Sequence, residues 1–136
     1  MKTCAIILLV ASVAFAHEVN LTEEQKAKLA EIKKECISSS GVALDEVEHA
    51  KKGVFAEDEK LKDFLFCLAQ KIGFMDKDGQ FKKDVITAKI TANHGEQIAK
   101  EVVDVCTAKT EVNGPETSLA LAKCLSEKSK QHVSIV

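Results

Sequence analysis

The chain has 136 residues and a formal net charge of −2 at pH 7, with charges of both signs spread along its length. A chain of this size forms one domain. All of its cations are lysines, and they do not form the basic cluster that is typical of nucleic-acid-binding proteins. Arginine, which grips phosphate and carboxylate groups with two hydrogen bonds, is absent. The composition therefore argues against nucleic-acid binding and weakly against anion recognition.

The first 16 residues predict a secretory signal peptide. Lys2 precedes a short apolar run from Cys4 to Phe15, which ends in the small-residue pattern Ala14-Phe15-Ala16. These features are typical of a cleaved leader, and the run is too short to cross a bilayer. We expect cleavage after Ala16, so that residues 17–136 form a secreted domain.

Four cysteines follow the leader: Cys36, Cys67, Cys106 and Cys124. An even number in a small exported domain predicts two disulfides, although spacing alone leaves all three pairings open. Zinc is the competing interpretation, but no two of these cysteines have the short spacing of a zinc site. We therefore predict neither a metal nor a cofactor.

Apolar residues recur at helical spacing along the domain and predict an all-α fold of six helices. A capping box of Thr22 and Gln25 marks the first helix. The pattern also predicts that Leu44 and Val54 are buried and that Val105 lies on an apolar helix face. The predicted helices span about residues 23–38, 44–52, 58–72, 83–92, 96–107 and 115–130.

The third helix is predicted to be the buried centre of the fold. Its apolar residues form one wide face, at i, i+3, i+4, i+7, i+8 and i+11: Leu61, Phe64, Leu65, Leu68, Ala69 and Ile72. We expect Gly73 to end this helix in the left-handed conformation. The sequence Asp-Lys-Asp-Gly at 76–79 then predicts a turn.

Candidates for catalysis are few, and we predict that the protein is not an enzyme. The domain has four histidines, His17, His49, His94 and His132, without the spacing of a metal-binding pair. Neither a nucleophile elbow nor a phosphate loop is present. The 76–79 turn resembles part of a calcium loop, but its register would place apolar residues at the first and last ligand positions. The histidines are expected to be solvated, with a pH-dependent latch at His132 as the alternative.

The run from Cys67 to Gly79, C-L-x-x-x-I-G-F-M-D-x-D-G, resembles the segment after the third cysteine of insect odorant-binding proteins. Asp63 and Pro115 stand where that family has its second and fifth cysteines, which bond to each other. The chain thus resembles a "minus-C" member with four cysteines.

The resemblance implies a six-helix domain that encloses an apolar cavity, with disulfides Cys36–Cys67 and Cys106–Cys124. The missing third bond would have joined the central helix to the last one. Its absence predicts a pocket wall that opens more easily.

The resemblance also implies a function: a secreted carrier of odorants, pheromones, terpenoids or fatty-acid-like molecules through aqueous lymph. Matched spacing from the cysteines implies eight ligand contacts: Leu29, Leu65, Ala69, Phe74, Met75, Val103, Leu121 and Leu125. Because the chain has no Trp or Tyr, shape would hold the ligand, with Ser118, Thr87 or Thr91 as polar contacts. The apolar tail, residues 133–136, would fold back over the pocket. The carrier would be a monomer or weak dimer, with an olfactory receptor as a further partner.

Two alternatives stay open. A protein of the same fold could carry lipids in haemolymph or reproductive secretions, or a secreted helical interaction protein could have a filled core and no ligand. Asn20-Leu21-Thr22 also matches a glycosylation sequon, although Thr22 is better explained as a helix cap.

Overall fold

The computed structural model describes residues 22–128, so the leader, Asn20, His17, His132 and the apolar tail lie outside the described residues. Within this range the all-α prediction is confirmed. The helices are α1 (Glu23–Ser40), α2 (Leu44–Lys51), α3 (Glu59–Lys71), α4 (Lys83–His94), α5 (Glu96–Cys106) and α6 (Gly114–Lys128). None of the described helices is long and apolar enough to cross a membrane.

Local caps set the bounds of α1. The backbone N–H of Gln25 donates to the side chain of Thr22 (3.1 Å), and the backbone N–H of Thr22 donates to the side chain of Gln25 (3.0 Å). This reciprocal pair is the predicted capping box. At the other end, Gly41 adopts φ 72° and its N–H donates to the carbonyl of Ile37.

Three predicted buried residues are exposed. Leu44 is 66% exposed at the start of α2, while Val47 and Ala50 are buried as expected. Leu44 is the first residue of α2, and only Val47 and Ala50, one and two turns later, pack into the core. Val54 is 60% exposed in the link to α3, and Val105 is 54% exposed at the edge of the buried face of α5.

The central helix α3 is buried along the predicted face. Its buried residues are Leu61, Lys62, Phe64, Leu65, Leu68 and Ala69. Ile72 is half-buried at its end, and Gly73 follows with φ 88°, the left-handed conformation that the sequence predicts.

The predicted turn closes a tight hairpin between α3 and α4. Met75 and Phe81 form an isolated antiparallel bridge. The side chain of Asp76 accepts backbone N–H groups from Asp78 (2.9 Å) and Gln80 (3.0 Å), which holds the turn in place.

At Gly79 the hairpin approaches the backbone at the start of α6. Gly79 has φ 80°, and a Cβ built on it would lie 2.8 Å from the Cα of Gly114. On its other side Gly114 faces the ring of Phe66, with which a Cβ would overlap. The hairpin, α6 and α3 therefore stack closely at this point, and a side chain at either glycine would collide with the neighbouring layer.

The helices α3 and α6 run antiparallel. As the chain advances along α3 from its N-terminal link, its contacts move backwards along α6: Glu57 with Lys123, Lys62 with Glu116, and Phe66 with Gly114. These two helices separate the core into two groups of buried residues.

Cluster A lies between α1, α2, α3 and α6. It consists of Cys36, Val42, Val47, Ala50, Leu61, Phe64, Leu65, Leu68, Leu119 and Ala122. Cluster B lies between the end of α3, the hairpin and α4, α5 and α6. It consists of Ala69, Phe74, Met75, Ile86, Ile90, Ile98, Ala99, Val102, Val103, Cys106, Leu121 and Leu125.

Each cluster contains one disulfide, and both have the pairing that the resemblance implies. Cys36 bonds to Cys67 and joins α1 to α3, with a sequence separation of 31. Cys106 bonds to Cys124 and joins α5 to α6, with a separation of 18.

Candidate ligand-binding site

Six of the eight predicted ligand contacts meet in cluster B: Ala69, Phe74, Met75, Val103, Leu121 and Leu125. They come from α3, the hairpin, α5 and α6, so distant parts of the sequence converge on one apolar volume. The other two lie elsewhere. Leu65 is buried in cluster A, and Leu29 is half-buried on α1.

The end of α3 explains how Phe74 and Met75 enter this cluster. Gly73 reverses the chain, and the backbone N–H groups of Phe74 (2.8 Å) and Met75 (3.3 Å) both donate to the carbonyl of Ala69. Lys82 then donates its N–H to the carbonyl of Phe74 (2.8 Å). Both side chains are thereby fixed inward between α3 and α4.

Of the predicted polar contacts, Ser118 lies inside the core. Its hydroxyl donates to the carbonyl of Gly114 at 2.9 Å and lies 3.4 Å from the sulfur of Met75. Because its one hydrogen is already shared within the protein, Ser118 can still accept a hydrogen bond from a ligand. Thr87 and Thr91 are instead exposed on α4.

A groove of about 280 Å³ between α4 and α5 reaches cluster B from the surface. Its lining residues are Thr87, Thr91, Glu96, Ala99, Lys100, Val103 and Asp104. Ala99 and Val103 are members of cluster B and form the apolar floor, while the charged residues form the rim. The two threonines and Val103, all predicted from sequence as ligand contacts, are thus brought together here.

A second groove, of about 560 Å³, lies beside the hairpin. It is lined by Gln80, Phe81, Lys83, Thr107, Ala108, Lys109 and Thr110. This lining is mostly polar and contains none of the eight predicted ligand contacts, so the groove does not resemble an apolar ligand site.

Titratable groups in residues 22–128 do not form a catalytic arrangement. This part of the chain has no group of three or more His, Cys, Asp or Glu side chains that could hold a metal. His49 is exposed and His94 is half-buried. The hydrogen bond that Lys62 donates to Glu116 raises the pKa of Lys62, and burial acts in the opposite direction.

The acidic side chain of Glu46 is another group with a perturbed pKa. Hydrogen bonding with the carboxyl group of Asp58, followed by burial, raises the pKa of Glu46. Its Oε2 atom is buried and has no hydrogen-bond partner among the described residues. Asp58 directly precedes α3, so this pair of carboxyl groups joins α2 to the start of the central helix.

The model of the PBP/GOBP family matches residues 18–128. The chain belongs to this family. It is 30% identical over 122 residues to the B1 protein of Tenebrio molitor, a match that spans 89% of this chain and 88% of that protein. It is also 30% identical over 125 residues to general odorant-binding protein 56a of Drosophila melanogaster, spanning 88% of this chain and 86% of that protein.

Among solved structures, the chain resembles the fatty acid binding protein OBP56a from the oral disk of the blowfly Phormia regina. That structure has a TM-score of 0.64 and 28% sequence identity, with 79% of this chain and 94% of that chain covered. Together the family and its structures make this protein a carrier that binds small apolar ligands. The family consists of secreted odorant-binding carriers rather than enzymes.

Sequence reasoning missed Lys62, the buried cation of α3. It lies beside Leu61 at the edge of the apolar face, and lysines are rarely buried unless they are paired. The available signal was the excess of acidic residues at positions 57, 59 and 116, but nothing in the sequence indicates that Glu116 lies next to α3. Phe66 was missed in the same way, because its partner Gly114 is 48 positions away.

Proposed function

We propose that this protein carries aliphatic ligands, such as fatty-acid-like or terpenoid molecules, in cluster B, and that they enter through the groove between α4 and α5. One observation carries the proposal: six predicted ligand contacts converge in an apolar cluster whose outer members, Ala99 and Val103, form the floor of that groove. Apolar, concave and sparsely polar sites are typical of small-molecule binding.

The chemistry of the site supports an aliphatic ligand. Met75 provides an adaptable surface, and neither Trp nor Tyr is present to orient an aromatic or phenolic ligand. The related blowfly structure is described as a fatty acid binding protein. Lys100, on the rim of the groove, forms an exposed ion pair with Glu96 (3.5 Å) and is placed to receive a carboxylate head group.

Binding requires the members of cluster B to move apart, because their side chains pack against one another in the structure. The helix α4 is the one that moves in this proposal, because its sequence contains no cysteine and so no disulfide holds it to another helix. Leu29 and Leu65 stay predicted ligand contacts at the edge of the site.

The proposed setting is an extracellular fluid, either sensillum lymph or haemolymph, with residues 1–16 removed during secretion. Transcript levels in the antenna and in the fat body would show which of the two fluids receives the protein. N-terminal sequencing of protein secreted by insect cells should begin at His17; a retained leader would refute the predicted cleavage.

The function is tested by displacing N-phenyl-1-naphthylamine from the delipidated protein with fatty acids, terpenoids and small aromatics. We expect saturable one-to-one binding, with dissociation constants in the micromolar range, about −8 kcal/mol. Aliphatic competitors should displace the probe best. A folded protein that binds no probe would instead support a ligand-free interaction protein.

Two alanines provide matched variants for locating the site. Ala69, on α3, is buried in cluster B, and Ala122, on α6, is buried in cluster A. Each enlargement to leucine should destabilise the fold by about 1–3 kcal/mol through overpacking. Only Ala69→Leu should also weaken ligand binding, because it fills the proposed site; equal effects of both variants on affinity would refute the assignment to cluster B.

A further inference from the structure

A buried lysine lies at the contact between the two long core helices. The side chain of Lys62 is only 9% exposed, and its Nζ atom lies 2.6 Å from Oε1 of Glu116, 3.4 Å from Oε1 of Glu59 and 3.6 Å from Oε2 of Glu57. Lys123 of α6 contacts Glu57 at 2.5 Å. We call these five residues the Lys62 clasp.

The clasp joins three segments of the chain. Lys62 and Glu59 belong to α3, Glu57 to the link before it, and Glu116 and Lys123 to α6. It therefore crosses the antiparallel α3–α6 contact at Lys62–Glu116 and at Glu57–Lys123. The same two helices carry the proposed ligand-site residues: Ala69 lies further along α3, Leu121 lies between the two clasp residues of α6, and Leu125 lies just beyond them.

The strength of this contact depends on ionic conditions. Lys62 itself is shielded from solvent, but Glu57 and Glu59 are 65% and 80% exposed, so dissolved ions reach its partners. Charges at exposed sites are screened within about 10 Å at 0.1 M ionic strength and about 3 Å at 1 M. An apolar contact between the same helices would not weaken in this way.

We propose that Lys62 is a positioning residue for the ligand site: its clasp holds α3 against α6 and thereby sets the rate at which the bound ligand leaves. This inference rests on the proposed function. Asp63 and Pro115, which stand where the family has its absent cysteine pair, are the chain neighbours of Lys62 and Glu116. The ion pair thus joins the two helices that the absent bond would have joined.

The experiment measures the release rate of bound N-phenyl-1-naphthylamine by stopped-flow fluorescence, with β-cyclodextrin as a neutral acceptor. Sodium sulfate raises the ionic strength from 0.05 M to 1 M. For the wild-type protein we expect release to become about threefold faster, as when a shielded ion pair weakens. Sulfate strengthens apolar burial, so packing alone would change the rate in the opposite direction.

Two variants remove the clasp. Lys62→Met keeps an unbranched side chain, one atom shorter, and removes its charge, whereas Glu116→Gln removes the charge of the carboxylate closest to Lys62. Both should release the probe faster than the wild type at low ionic strength, and added sulfate should no longer speed their release. If Lys62→Met fails to fold, Glu116→Gln carries the test alone.

Lys71→Met is the matched control. Lys71 is on the same helix and pairs with Glu35 of α1 at 3.0 Å, so it loses the same charge without touching α6. It should keep the wild-type release rate and salt response. A wild-type release rate that does not respond to salt would overturn the proposed role of the clasp. So would equal release rates in Lys62→Met and the wild type. A wild-type protein that binds no probe refutes the proposed function itself, and this inference with it.

Discussion

The two core clusters differ in their access to the surface: cluster A is closed, and cluster B is open along a groove. Cluster A is enclosed by α1 and α2 on one side and by α3 and α6 on the other, with the Cys36–Cys67 disulfide at its edge. Cluster B is open at the groove between α4 and α5. An exposed ion pair, Lys83 with Asp104 (2.5 Å), joins these two helices, and such pairs contribute little to stability.

A single helix can thus contribute residues both to the closed cluster A and to the open cluster B. On α6, Leu119 packs into cluster A and Leu121 into cluster B. On α3, Leu65 and Ala69 divide in the same way. On the proposed function, cluster A anchors α3 and α6, so that α4 can move relative to them when a ligand enters cluster B.

The largest expected effect comes from removing a disulfide. On the loop-entropy model each bond contributes roughly 3–4 kcal/mol, with the larger share for Cys36–Cys67 because its loop is longer. Denaturant unfolding of Cys36→Ala/Cys67→Ala and Cys106→Ala/Cys124→Ala checks this order. Probe affinity should change more in the second variant, whose bond lies in cluster B. The reverse order of affinities would contradict the division into anchor and binding site.

An intermediate effect is expected from single tryptophans, which are clean reporters because the chain has no Trp or Tyr. Val103→Trp fills the floor of the groove and should weaken probe binding about tenfold, or about 1.4 kcal/mol. Leu65→Trp lies in cluster A, reaches the ligand only across α3, and should weaken binding by about threefold. Val105→Trp, on the exposed side of α5, is the control and should bind as the wild type does. An unchanged affinity in Val103→Trp would show that the ligand does not enter at this groove.

The smallest effect concerns Glu46, at the edge of cluster A. Its pKa is raised above the ordinary 4.5 by Asp58, so the pair stabilises the fold when Glu46 is protonated and this contribution is lost as pH rises through the raised value. Glu46→Gln should therefore unfold at a higher temperature than the wild type at pH 7, with the difference shrinking towards pH 4.

The control for this pair is Glu48→Gln, on the same helix. A hydrogen bond from Lys51 lowers the pKa of Glu48, so its contribution is present at neutral pH and is lost on acidification. The two variants should thus shift thermal unfolding at pH 7 in opposite directions. Shifts of the same sign would show that the Glu46–Asp58 interaction does not control the difference.

Local signals made most of the secondary structure predictable. The Thr22–Gln25 box and the glycines at 41 and 73 end or begin helices through contacts within a few residues, which a sequence pattern contains. The turn at 76–79 is also local, because Asp76 binds backbone groups only two and four residues away.

The sequence does not show which element of the fold packs against each face of a helix. Leu65 and Ala69 are one turn apart and were predicted to share one site, yet they pack into different clusters because α1 covers one side of α3 and the hairpin covers the other. The burial of Lys62 likewise depends on Glu116, 54 residues away. Such contacts are set by tertiary packing, not by periodicity.

The contact between Gly79 and Gly114 constrains how this sequence can vary. Neither position tolerates a Cβ, since Gly79 would meet the backbone of α6 and Gly114 would meet the ring of Phe66. A second substitution nearby cannot restore the fit at Gly79, because the obstacle there is main chain rather than a replaceable side chain. In a randomised library selected for secretion, Gly79 should remain invariant and Gly114 should vary only together with Phe66, while the surface of α4 diversifies around them.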